Sequence, residues 1–236
     1  MKKTILITRP RSEAIDLDLF LQNQGFNTII EPIFDAKIVE NSQNFAKNPP
    51  QAAILTSSNA IPTFLTCDFH KNIKIFTIGK KTAQKLRENG YENVFFPPKT
   101  STLLLKNLIL HEASPKAGKI LYFCGNFITF DFGAELMAQG FEAESINAYQ
   151  VDYKNEFSAE FLSRIKQENI DFVLIFSKNG AKNFHNLTKK HNLLEYFNKS
   201  AILCLSNKIA DVIKDLGFKI SANFDEIMSL KNFYEL

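Results

Sequence analysis

The chain has 236 residues, of which 45% are hydrophobic and 22% charged, an ordinary globular composition with room for one large domain or two of about 110 residues. Its net charge of +3 is nearly all lysine, scattered without a run of five, with arginine only at Arg9, Arg11, Arg87 and Arg164. That excludes a nucleic-acid footprint and leaves a small polyanion as a fitting partner. Cys67, Cys124 and Cys204 are odd in number and set in apolar contexts, which reads as reduced core thiols of a cytoplasmic protein. The apolar stretch after Lys2-Lys3 is too short for a signal peptide or a membrane span and reads as a first strand.

That strand, Thr4–Thr8, is a β-branched run ended by Arg9-Pro10-Arg11. Ser12 is the expected N-cap of a helix with Glu13 and Asp16 in its first turn and Ala14, Leu17, Phe20 and Leu21 at helical spacing. Gly25 stops it and Phe26–Ile30 is extended, so the first unit is βαβ and a parallel sheet is expected. After a Pro- and Asn-rich crossing, 32–50, Ala52–Phe64 gives a tight apolar strand, the loop Thr56-Ser57-Ser58-Asn59-Ala60, and a helix start. Ile75–Tyr91 repeats the plan with the loop Gly79–Thr82, a helix, Gly90, and a strand at Asn93–Phe96.

The second half of the chain repeats the first. Ile120-Leu121 matches Ile5-Leu6 at an offset of 115, and Leu136, Gln139, Gly140 and Phe141 match Leu21, Gln24, Gly25 and Phe26. Phe172–Phe184 copies Ala52–Phe64 at an offset of 120, placing Ser177 on Ser57 and Asn179 on Asn59. Ile202–Phe218 copies Ile75–Tyr91 at an offset of 127, with Lys208 on Lys81 and a strand expected at Lys219–Ala222. The order is A-B-C, A′-B′-C′, with a second crossing at Tyr149–Lys154 followed by a polar helix at Ser158–Asn169.

Ligands of parallel sheets collect at the carboxyl ends of the strands. Six polar loops fall there: Arg9–Arg11, Thr56–Ala60, Gly79–Thr82, Gly125–Asn126, Ser177–Gly180 and Ser206–Lys208, each read as opening a helix whose N-terminus favours negative charge. Any one serine or asparagine there is an ordinary N-cap, and any one of Lys80, Lys81, Lys178 and Lys208 an ordinary solvated lysine. The set of six points to a ligand with several carboxylates or phosphates. The chain has no P-loop, GxGxxG, GxSxG or HExxH, and no Cys/His spacing for zinc, so no metal is expected. His70, His111, His185 and His191 fall outside the loops and read as surface residues. Tyr149 ends a strand at a crossing, where it is either a linker residue or a phenol that donates a hydrogen bond or a proton.

Across nearly its full length the chain resembles the uroporphyrinogen-III synthase family. The resemblance is carried by ILITRP, ILTSSNA, TIGKKTAQKLRENGY, YFCGN with INAYQ, IFSKNGAKNF and CLSNKIADVIKDLGF in that order. It implies an α/β fold of two parallel-sheet α/β/α domains, flavodoxin-like halves, joined by a two-stranded linker. The domains would be 1–34 plus 153–236, and 38–148, with linkers 35–37 and 149–152, the two Ser/Asn loops facing one cleft. It implies closure of hydroxymethylbilane, a linear tetrapyrrole with eight carboxylates, to uroporphyrinogen III with inversion of ring D, without a cofactor. Membrane and nucleic acid have no part in it. The family expectation is a cytoplasmic monomer, with a transient contact to hydroxymethylbilane synthase as a further partner. Tyr149 matches the tyrosine that assists departure of the hydroxyl, and Thr82 a threonine facing the cleft. Ser57 and Ser177 match loop serines near substrate carboxylates, and Arg9 the arginine of ITRP. Ser58, Asn59, Gly125, Asn126, Lys178 and Asn179 share those loops, and Lys208 lies in the second copy of the GKKTA loop. Phe127-Ile128-Thr129-Phe130 stands where many members carry arginines, so Lys80, Lys81 and Lys178 are the substitutes expected to offset substrate charge; Ile209 stands where a threonine is usual. Two other readings stay open: a hinge-closing binding protein for a small polyanion, and a catalytically weakened homologue.

Overall fold

A computed structural model describes residues 2–40, 45, 47–204, 207–218 and 220–223 of the chain. In chain order the elements are β1 (Thr4–Ile7), α1 (Arg11–Asn23), β2 (Asn27–Ile30), β3 (Phe34–Ile38), β4 (Ala52–Leu55), α2 (Ile61–Thr66), β5 (Lys74–Thr77), α3 (Lys80–Glu88), β6 (Val94–Phe95) and α4 (Thr102–Glu112). Then follow β7 (Ile120–Gly125), α5 (Phe132–Met137), β8 (Ala143–Tyr153), α6 (Ala159–Arg164), β9 (Phe172–Ile175), α7 (Lys178–Lys190), β10 (Ala201–Cys204), α8 (Asn207–Asp215) and β11 (Ile220–Asn223).

The four-residue strands are short apolar runs, and β1, β4 and β9 are buried at every position, the signature of a parallel strand covered on both faces. Helix α1 starts two residues earlier than the sequence suggests. Pro10, not Ser12, is its N-cap, without a side-chain bond, and the Pro10 carbonyl accepts from the N–H groups of Glu13 and Ala14 at 2.9 and 3.0 Å. Proline serves there because its fixed φ leads into the helix and its missing N–H is not needed. Gly25 and the equivalent Gly140 turn the chain after α1 and α5 at φ +87° and +81°, a conformation that L side chains rarely adopt.

Two compact units result: residues up to Asp35 together with those from Asp152 on, and Ala36–Val151. The first unit is a parallel sheet in the order β11-β10-β9-β1-β2. The second is β6-β5-β4-β7-β8, also parallel, with β3 added beside β8. Written this way the two orders superpose: C, B and A units occupy the same places, although the chain enters one sheet at A and the other at B. The repeats found in the sequence therefore hold equivalent positions, related by a circular permutation.

Each sheet is covered on both faces. In the first unit Leu6, Val173 and Ile202 pack under Phe161, Phe184, Leu187 and Ile213 of α6–α8. On the other face Ile5, Ile7 and Leu174 pack under Ala14, Leu17 and Leu21 of α1. In the second unit, Ala53, Leu55 and Leu121 meet α2 and α3 through Phe64, Ala83 and Leu86, while Ile54, Phe76 and Ile120 meet α4 and α5 through Leu105, Ile109, Phe132 and Leu136. The chain leaves β1 in one direction along the sheet and β9 in the other. Right-handed crossovers then send the following helices to opposite faces.

Two of the expected surface histidines are half-buried. The His191 ring lies tilted against Phe157, centroids 5.7 Å apart, with Nε2 2.8 Å from Glu156, and His185 meets the Phe218 ring edge-on at 5.5 Å. Their half-buried positions follow from where the turns of α7 place them beside its apolar stripe, a three-dimensional relation to Phe157 and Phe218 that local composition hides.

Candidate functional site

A parallel sheet whose crossovers reverse direction leaves a crevice between the two strands at the reversal. In the first unit those strands are β1 and β9. They are tied beyond the ladder by Thr8 Oγ1, which donates to the Leu174 carbonyl at 2.6 Å. The next residue, Arg9, lays its guanidinium over the Phe176 ring, 4.0 Å from the centroid, with Glu13 3.9 Å away. Burial lowers the Arg9 pKa and Glu13 opposes the shift; arginine remains charged. On β9's side, Ser177 is the N-cap of α7, its Oγ accepting the Gly180 N–H at 2.9 Å. Lys178 and Asn179 follow, exposed, in a first turn that contains no acidic residue. A lysine at the positive end of a helix is poorly placed unless an anion shares the site.

In the second unit the reversal lies between β4 and β7. Thr56 Oγ1 and Tyr122 Oη meet across it at 3.4 Å. Burial pushes the Tyr122 phenol up to about 12, against the Thr56 hydrogen bond, which lowers it. Ser57 caps a short 3-10 turn, Ser58–Ala60, by accepting the Asn59 N–H at 3.2 Å, and α2 begins only after that turn. On the neighbouring β5, Gly79 is the N-cap of α3; Lys80 is exposed, Lys81 half-buried, and the first turn again has no acidic residue. At the end of β7 the sheet register shifts so that Gly125 lies opposite Tyr149. The tyrosine ring covers the glycine so closely that a Cβ there would stand 2.6 Å from Cε2 and 3.1 Å from the hydroxyl.

With both crevices described, one comparison decides the family: residues 17–225 match the family model described as uroporphyrinogen-III synthase HemD. The chain belongs to that family. A protein of Rickettsia prowazekii (strain Madrid E), named as uncharacterized, is 29% identical over 77% of this chain and 75% of its own length. Among solved structures, the uroporphyrinogen-III synthetase of Helicobacter pylori 26695 matches at a TM-score of 0.61 and 15% identity, over 98% of this chain and all of that one. A mutant uroporphyrinogen III synthase of the extremely thermophilic bacterium Thermus thermophilus matches at 0.56 and 13%, over 92% and 90%. At these identities the likeness shows the fold, and the α/β architecture read from the sequence is that of the uroporphyrinogen-III synthases.

Within this HemD-family fold, Arg9, Ser177, Lys178 and Asn179 share one switch point, while Ser57, Ser58, Asn59, Gly125, Asn126 and Tyr149 share the other, with Lys80 and Lys81 on the adjacent strand end. Thr82 lies on the buried side of α3 with Ala83 and Leu86, only 7% exposed. Lys208 stands in the first turn of α8, but its side chain, and Ser206 before it, lie outside the described residues. The loop at Gly125-Asn126 does not open a helix, as the other loops led one to expect. α5 starts later, capped by Asp131. The reason is Asn126 itself, whose Oδ1 accepts the Val151 N–H at 2.8 Å and whose Nδ2 donates to the Val151 carbonyl at 3.3 Å. That pair extends the β7–β8 ladder by a side chain and holds the end of β8.

Sequence reading passed over three contributors. Tyr153 packs on Phe34 with centroids 5.8 Å apart, and burial raises the pKa of its phenol, a shift that Ser177 and Asn179 oppose. Asn183 Nδ2 donates to the carbonyls of Ile33 and Lys154 at 2.9 and 3.1 Å, tying α7 to both chain crossings. Tyr122 crosses the second reversal. Only Tyr153 had a local signal, its place four residues after Tyr149 at the end of a polar strand.

Proposed function

We propose that the chain is a uroporphyrinogen-III synthase, a cyclising lyase of tetrapyrrole biosynthesis that closes hydroxymethylbilane with inversion of ring D and loss of water. The observation that carries the reading is the pair of equivalent switch points in a chain of this family: Arg9, the Ser177 cap and Lys178 at one, and the Ser57 cap at the other, with Lys80 and Lys81 at the adjoining strand end; the first turns of α7 and α3 hold no acidic residue. Such groups suit a substrate with eight carboxylates. Arg9, Lys178 and the amide end of α7 meet some of them; Lys80, Lys81, Ser57 and the amide end of α3 meet others. Ser58, Asn59, Ser177, Asn179 and Lys208 complete the binding loops.

Tyr149 is the proton donor. Its phenol, seated over Gly125, hydrogen-bonds the departing hydroxyl of the bilane, which leaves as water and generates an azafulvene. Ring D then attacks through its substituted carbon, the spiro intermediate fragments, and reclosure gives the type III isomer. The protein's share of this chemistry is placement: holding the carboxylates decides which carbon of ring D reaches the electrophile. Thr82 supports that region from within α3. The enzyme acts as a cytoplasmic monomer that receives its unstable substrate from hydroxymethylbilane synthase.

The test is incubation with freshly made hydroxymethylbilane and isomer analysis of the product. Type III is expected, and type I alone, the spontaneous product, would refute the proposal. Tyr149→Phe should slow type III formation without abolishing it.

A further inference from the structure

Strict alternation along β8 would put Ala148 and Tyr149 on opposite faces of the sheet. Instead Ile146, Ala148 and Tyr149 all pack on the core cluster that meets α2 and α3. The cause is the shift in the β7–β8 ladder, where Cys124 pairs with Asn147 and Gly125 with Tyr149, leaving Ala148 as an inserted residue. Such a bulge sends the side chain that follows it to the other face and leaves the inserted residue outside the ladder. Here it carries the Tyr149 ring over Gly125.

The inserted residue is held from α2. Thr63 is fully buried, and its Oγ1 proton is shared between two carbonyls, those of Ala148 at 2.6 Å and Val39 at 2.8 Å. The Val39 N–H donates to the same Ala148 carbonyl at 3.0 Å. That carbonyl lies in the peptide plane that leads into Tyr149. The next carbonyl, of Tyr149 itself, accepts the Asn126 N–H at 3.2 Å. Both peptide planes that flank the tyrosine are thus fixed, one of them by a side-chain hydroxyl. The duplication supplies a second observation. At the offset of 120, Thr63 corresponds to Asn183, whose Nδ2 donates to one carbonyl from each chain crossing in its own unit, Ile33 and Lys154. Two side chains of different chemistry perform the same task at the same position of the repeat.

We infer that Thr63 is a positioning residue for Tyr149: its hydroxyl secures the Ala148 bulge that aims the phenol, and it acts on the reaction through that aim. This deepens the synthase reading and rests on the role given there to Tyr149.

The experiment compares Thr63→Val, which replaces the hydroxyl by a methyl group of similar size, with Thr63→Ser, which keeps it. One readout is steady-state kinetics with isomer analysis. The other is the NMR shift of the Gly125 α-protons, which the Tyr149 ring displaces while it lies over them. Thr63→Val should lower kcat about tenfold with KM within about twofold, and Thr63→Ser should restore it. In a Tyr149→Phe background the same change should cost less than about twofold further. The Gly125 shift should move toward its Tyr149→Ala value in Thr63→Val and stay at its wild-type value in Thr63→Ser. If Thr63→Val does not fold, Thr63→Cys, whose thiol is a weak donor, takes its place and should give a smaller change in the same direction. An unmoved Gly125 shift would overturn the inference, as would a kcat loss that persists in full without the Tyr149 hydroxyl. A wild-type protein that yields only type I would instead sink the synthase reading, and the Gly125 shift would still decide whether Thr63 sets the ring.

Discussion

Gly125→Ala is the sharpest probe of the second switch point. The added Cβ would sit 2.6 Å from Tyr149 Cε2 and 2.7 Å from Cζ, where carbon atoms prefer about 3.5–4.0 Å, so the ring has to move by about 1 Å. The backbone cannot retreat instead. Gly125 is in register with Tyr149, and the Asn126 N–H is bonded to the Tyr149 carbonyl at 3.2 Å. Forcing a ring aside in a packed site costs about 1–3 kcal/mol, which for a chain of this size lowers Tm by about 2–10 °C. The functional loss should be larger. A phenol displaced by 1 Å can slow its proton transfer by about a hundredfold, so Gly125→Ala should match or exceed the loss in Tyr149→Phe. The assay is the type III rate together with a thermal melt, repeated in a Tyr149→Ala background, where the new methyl group meets no ring and Gly125→Ala should cost nothing further. A Gly125→Ala protein with wild-type rate and Tm would refute the geometry.

Asn126→Ala removes both bonds to Val151, about 0.5–1.5 kcal/mol each, and should speed hydrogen exchange at the Val151 amide about tenfold or more; unchanged exchange would show that the ladder holds without the side chain. Burial, aided by the charge of Lys189, lowers the pKa of His185, whose Nδ1 has no hydrogen-bond partner among the described residues. The folded state therefore takes up that proton less readily than the unfolded chain. Stability from this group is fully present above about pH 6.5 and is lost as pH falls through its lower folded value. Melting temperatures between pH 8 and 5 should fall less steeply in His185→Leu, and parallel curves would remove His185 from the account.

The strands, the glycine stops and the repeats were legible because they are local. A four-residue apolar run bounded by Gly, Ser or Asn can be little else than a buried parallel strand. So were Ser57 and Ser177, since a serine before a helix is recognisable without knowing what faces it. Misreadings came where a neighbour distant in the chain decides the matter. Asn126 looks like a loop residue that opens a helix, yet its amide is engaged by Val151 on the adjoining strand. His185 and His191 look like surface residues until α7 places them against Phe218 and Phe157.

By itself the sequence determined a duplicated chain of strand–loop–helix units with polar, cation-bearing turns at one end of each strand. It did not determine which units share a sheet. Tertiary structure decided that, seating A beside B′ and A′ beside B, through pairings as distant as Thr8 with Leu174, 166 positions apart. Hydrophobic periodicity says that a strand is buried but not against which partner, because Leu, Ile and Val fit any similar neighbour. The placement of Arg9 over Phe176 and Tyr149 over Gly125 depends on those pairings, so the candidate site became readable only once the sheets were assembled.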